Sequence, residues 1–79
     1  MPSAKQKRRP DAFWLSDVGA QVKQARQLAG LTQEALAEKT GLAPRTIQKI
    51  EAGDITILIT TLRRLREAIG CRFDDLLPD

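Results

Sequence analysis

Seventy-nine residues, thirteen of them basic and ten acidic, make one small domain whose low buried share of surface leads one to expect marginal stability or an oligomer. With no histidine and only Cys71 as a thiol, the chain has no histidine acid-base chemistry, no Ser-His-Asp arrangement, no Cys/His zinc cluster and no internal disulfide, so it is not read as an enzyme and no metal or cofactor is assigned. No apolar run is long enough to span a membrane and the basic start lacks the apolar stretch of a signal peptide, so a cytoplasmic location is expected.

Residues 1–12 read as a flexible basic arm, because Lys5, Lys7, Arg8 and Arg9 stand among prolines and small residues without apolar periodicity. Removing those four leaves nine basic against ten acidic residues, so the domain, residues 13–79, is close to neutral. Any attraction of that body for phosphate has to come from local placement, at Lys23, Arg45 and Lys49. Ser16 or Asp17 is a suitable cap for a first helix with Val18, Val22, Ala25, Leu28 and Ala29 on one stripe, ending at Gly30. Phe13 and Trp14 precede that cap and are expected to fold back on the helix as a staple, with a dimer or partner contact as the other reading.

Thr32 is placed to cap a second helix, Gln33 to about Lys39, and a third runs from Pro44 to about Ala52 and stops at Gly53. Ala37 is small where the two helices would cross, Gly41 can take the positive φ that ends a helix, and Ile47 and Ile50 lie one turn apart on a single face. With those isoleucines inward, residues 45, 48 and 49 project outward. The segment Ile55-Thr56-Ile57-Leu58-Ile59-Thr60 is β-branched and apolar where a polar connection is usual, and strand, tucked loop and helix start all stay open. So many large side chains exceed what a small core needs, so Ile55, Ile57, Leu58 and Ile59 are a candidate dimer or partner surface. A fourth helix carries Leu62, Leu65, Ala68 and Ile69 on one face, its arginines being expected in solvent, and ends at Gly70. Phe73, Leu76 and Leu77 suggest a short fifth helix with Asp74 and Asp75 in its first turn, and Cys71 is read as a small apolar filler.

From Val18 to Leu77 the chain resembles the phage repressor and Cro-like helix-turn-helix family, five-helix DNA-binding domains. The blocks that carry the resemblance are Gly30-Leu31-Thr32-Gln33-Glu34-Ala35-Leu36-Ala37, Thr40-Gly41-Leu42, Ile47-Gln48-Lys49-Ile50-Glu51-Ala52-Gly53, and Thr61-Leu62 with Phe73-Asp74-Asp75-Leu76-Leu77. It implies a compact all-α fold of five helices in which Gln33 binds a backbone phosphate and the front of the third helix lies in the major groove. That puts Pro44, Arg45, Thr46, Gln48 and Lys49 on the DNA face: Arg45 can grip guanine O6 and N7, Gln48 can read adenine, and Lys49 can serve a base or a phosphate. It also implies a structural salt bridge between Arg26 and Glu51, and lets the basic arm follow the minor groove or the backbone. Two positions depart from the family pattern. Ala43 stands where a capping serine is common, and Ile57-Leu58 replaces the Pro-Ser that often opens the fourth helix.

The expected function is a sequence-specific DNA-binding transcriptional regulator, a homodimer on a two-fold operator: a stand-alone phage-type repressor, a restriction-modification controller, or an antitoxin whose toxin partner covers an apolar face. The rival is a helical module that bridges proteins without reading sequence.

Overall fold

A computed structural model describes residues 11–78 as four α-helices and one closing turn: α1 (Asp11–Leu28), α2 (Gln33–Thr40), α3 (Pro44–Ala52), α4 (Ile59–Ile69) and a 3-10 turn at Phe73–Asp75. Ten side chains form the core: Val18, Val22 and Ala25 of α1, Leu36 and Ala37 of α2, Ile47 and Ile50 of α3, Leu62 and Leu65 of α4, and Leu76. In α1, α3 and α4 they recur at three- or four-residue intervals, which keeps them on one face; in α2 Leu36 and Ala37 are adjacent, and buried Thr40 lies one turn on from both.

α1 starts at Asp11, so Ser16 and Asp17 lie inside it and do not cap it. No proline or glycine interrupts residues 11–18, and nothing stops the helix from extending through them. The staple expected of Phe13 and Trp14 is therefore not formed: both are helical residues, 58% and 40% exposed. At the other end Leu28 and Ala29 leave the stripe and are exposed, Leu28 to 82%, on the rim of an open concavity shared with Ile69 and Cys71.

The junction of α2 and α3 follows from local chemistry. The Thr32 hydroxyl accepts a hydrogen bond from the Ala35 amide at 3.0 Å, satisfying one of the unpaired N–H groups of the first turn of α2. Gly41 ends that helix at φ 76°, a conformation a side chain would oppose. Buried Thr40 donates its hydroxyl to the Leu36 carbonyl at 2.8 Å, so no polar atom is stranded at the turn. Ala43 supplies no side-chain cap to α3; Pro44 opens it instead, at a position where the missing N–H costs nothing.

α1 crosses α3 at Gly19. A Cβ there would stand 2.6 Å from the Glu51 carbonyl oxygen, against backbone that has no rotamer to yield. Gly53, at φ 76°, closes the same contact from the other side, where a Cβ would meet Ser16 Cα at 2.6 Å.

Residues 55–58 join α3 to α4 as irregular extended chain, and no strand occurs among the described residues. Ile55 and Ile57 pack against the core while Thr56 and Leu58 face out, but Ile59 does not continue the alternation and is 81% exposed. α4 then begins at Ile59 with no side-chain cap from Leu58. Of its arginines, Arg66 departs from the expected solvated position. It is half-buried, its guanidinium lies 5.0 Å from the centre of the Phe73 ring, and Nε is buried without a hydrogen-bond partner.

The expected fifth helix reduces to the three-residue 3-10 turn. Its Asp75 carboxylate accepts from the Arg72 amide at 2.9 Å, and Leu76 turns straight into the core, which halts further winding. Among the described residues no helix is long and apolar enough to cross a membrane.

Candidate nucleic-acid interface

Burying Ile47 and Ile50, 0% and 1% exposed, fixes the rotation of α3 about its own axis. Arg45, Gln48, Lys49 and Ala52 then share the opposite stripe at i, i+3, i+4 and i+7, and all four are exposed. Together with Asp54 they line an open concavity of about 490 Å³. Pro44 is exposed at the entrance of the helix, whereas Thr46 is half-buried beside the stripe.

Behind this face a polar cluster holds α1, α2 and α3 together. Arg26 Nε donates to Glu51 Oε2 at 2.6 Å and a terminal nitrogen donates to Oε1 at 3.0 Å, a two-pronged pairing that defines the mutual orientation of the groups. A third donation, 2.8 Å to the Leu31 carbonyl, ties the guanidinium to the chain entering α2. The side chains are 9% and 4% exposed. The hydrogen bond to Glu51 raises the Arg26 pKa above its ordinary value against the opposing effect of burial, so the guanidinium stays charged. Gln33 joins the cluster through Nε2, which donates to Glu51 Oε1 at 3.0 Å. Its side chain is half-buried, leaving the second amide hydrogen as a donor at the start of α2.

The other residues singled out in the sequence fall in different places. Leu58 and Ile59 are exposed on the far side of the α3–α4 connection, 68% and 81%, while Ile55 and Ile57 are half-buried. Lys5, Lys7, Arg8 and Arg9 lie outside the described residues. Sequence reasoning overlooked Gly19, although a glycine in mid-helix is costly enough to signal a close backbone approach. It also gave no role to Asp54, which caps the exit from α3 by donating its amide to the Lys49 carbonyl at 2.9 Å.

The sequence model of a family described as helix-turn-helix matches residues 22–76, which includes both helices and the turn between them. The chain belongs to the Cro/C1-type helix-turn-helix family. Membership makes it a DNA-binding transcriptional regulator. One helix-turn-helix relative, the uncharacterized HTH-type transcriptional regulator y4mF of Sinorhizobium fredii, is 35% identical over 63 residues, 80% of this chain and 83% of its own. Among solved structures, the restriction-modification controller protein C.AhdI from Aeromonas hydrophila superposes with a TM-score of 0.76 at 25% identity, covering 80% of this chain and 96% of that one. The wild-type restriction-modification controller protein C.Esp1396I gives 0.72 at 32% identity, over 76% of this chain and 79% of the controller.

Proposed function

We propose that this helix-turn-helix regulator reads operator sequence with the exposed stripe of α3, from the cytoplasm and as a homodimer on a two-fold related site. The observation that carries this reading is the burial of Ile47 and Ile50, which leaves Arg45, Gln48 and Lys49 no direction but outward. Placed in a major groove, Arg45 takes a guanine edge, Gln48 an adenine edge, and Lys49 a base or phosphate. Gln33, held by Glu51 through one amide hydrogen, offers the other to a backbone phosphate and so sets the register of α3. Lys5, Lys7, Arg8 and Arg9 add positive charge to the chain, which favours salt-sensitive binding to duplex of any sequence.

The homodimer is supported by an apolar groove of about 310 Å³ lined by Trp14, Leu15, Ile57, Ile59, Leu62 and Leu77. Leu58 and Phe13 are exposed as well, and an apolar surface of this kind can close a two-fold pair. Such a pair would present its two α3 helices about one helical turn of DNA apart.

Selection of bound duplexes from a random pool, followed by titration across a salt series, tests the reading. A selected site should bind several kcal/mol more tightly than random duplex. Arg45→Ala should cost about 1–3 kcal/mol at one base pair, and Gln33→Ala should weaken all sequences alike. Equal affinity for selected and random duplex would leave a bridging module as the better account. For the dimer, ultracentrifugation should show the parent chain as a dimer and Ile59→Asp as a monomer; a monomeric parent at high micromolar concentration refutes it.

A further inference from the structure

One charged group on the α3 face is not used by the contacts described so far. Asp54 is exposed and lines the same concavity as Arg45, Gln48 and Lys49, yet among the described residues its carboxylate has no hydrogen-bond or ion-pair partner. Its position is electrostatically poor for the free protein. It follows the C-terminal end of α3, where the helix dipole is negative and a cation, not an anion, is favoured. Nor does folding require the side chain, since the hydrogen bond that closes the helix comes from the backbone amide. A surface that approaches polyphosphate would be expected to exclude such a charge, because phosphate neutralisation supplies most of the general affinity for duplex. An acid that helps neither stability nor general binding, and sits where base edges would pass, calls for a use in discrimination.

The concavity has the matching chemistry. Arg45 and Lys49 bring donors to its lining, and the Asp54 carboxylate, just past the C-terminal end of α3, brings an acceptor-only group. Ala52, between Lys49 and Asp54 in the sequence, is the one small side chain of that lining and leaves room beside the carboxylate. In the major groove the donor that a carboxylate recognises is an exocyclic amine, and cytosine N4 is its usual partner. From Arg45 to Ala52 the helix rises about 10 Å. With DNA base steps of about 3.4 Å along the strand, that rise spans about three base pairs for a helix lying along the groove, and Asp54, two residues past Ala52, falls three to four base pairs from the pair read by Arg45.

We infer that Asp54 is a specificity-determining residue that accepts a hydrogen bond from a cytosine amine at the end of the reading stripe opposite Arg45. This rests on the placement of α3 in the major groove proposed above. Its role is separate from that placement: the operator contains a cytosine whose identity matters only while the carboxylate is present.

The test is parallel selection from a random duplex pool with the parent chain, Arg45→Ala, Asp54→Ala and Asp54→Asn, each confirmed as folded by its helical circular dichroism. The parent should enrich sites with a guanine that Arg45→Ala no longer requires, and a cytosine three to four pairs away favoured about tenfold over other bases. Asp54→Ala should lose the cytosine preference and keep the guanine. Asp54→Asn should move the preference toward adenine, whose N6 and N7 suit an amide. If Asp54→Ala enriches unchanged sites and simply binds every duplex more tightly, the carboxylate only repels phosphate and the inference is overturned while the α3 reading survives. If the parent enriches no site at all, both fall together.

Discussion

Gly19→Ala should destabilise the protein, although helix propensity by itself says the opposite. An alanine in mid-helix is favoured over glycine by about 0.5–1 kcal/mol, because it restricts the unfolded chain more. Here the added methyl would sit 2.6 Å from the Glu51 carbonyl oxygen and 2.8 Å from its carbon, whereas ordinary contact begins at 3.4 Å. The Ile50 carbonyl oxygen would be nearer still, so the helices would have to part by about 1 Å, and because the obstruction is backbone, overpacking of this kind costs toward the upper end of about 1–3 kcal/mol. The displacement would also pull Glu51 from Arg26, which it meets at 2.6 Å. Subtracting the propensity gain leaves a net loss of about 2 kcal/mol, which for a domain of this size lowers Tm by about 8–16 °C. Urea unfolding followed by circular dichroism gives the value, with an unchanged m-value showing that the denatured state is not the cause. A variant as stable as the parent, or more so, would refute the close crossing of α1 over α3.

Glu51→Ala should cost about 3–5 kcal/mol, because it leaves the Arg26 guanidinium buried without its partner. Replacing the pair together, Arg26→Met with Glu51→Leu, should restore most of that loss in the same urea assay, since an apolar pair of similar volume carries no desolvation penalty. Thr32→Ala removes the hydroxyl that accepts from the Ala35 amide and should lower stability by about 1 kcal/mol, read from the thermal midpoint. Burial, reinforced by the Asp75 carboxylate, holds the Cys71 thiol above its ordinary pKa. The unfolded chain therefore loses that proton first, so the stability linked to Cys71 is intact below the ordinary thiol pKa and declines as pH rises beyond it. Alkaline stability measurements on the parent and Cys71→Ser should show this slope in the parent alone, and folded Cys71 should react with a thiol reagent more slowly than the urea-unfolded chain at the same pH.

The helix-turn-helix was legible in the sequence because its determinants are local. Thr32 as a cap, Gly41 at a positive φ, Pro44 at a helix entrance and the one-turn spacing of Ile47 and Ile50 each act within a few residues, and together they dictate which side of α3 faces out. The path of residues 55–58 was not legible: strand, loop and helix start all fitted the apolar pattern, and the choice depends on partners remote in sequence. Tertiary structure decided what those local rules leave free. Gly19 acquired its importance only once α3 lay across it. The short closing turn was set by Leu76 entering the core, and Arg66 came to rest over Phe73 when that turn folded back. Caps and periodicity record interactions between near neighbours, whereas the closeness of two helices and the length of a terminal turn come from side chains that meet only after the chain has closed on itself.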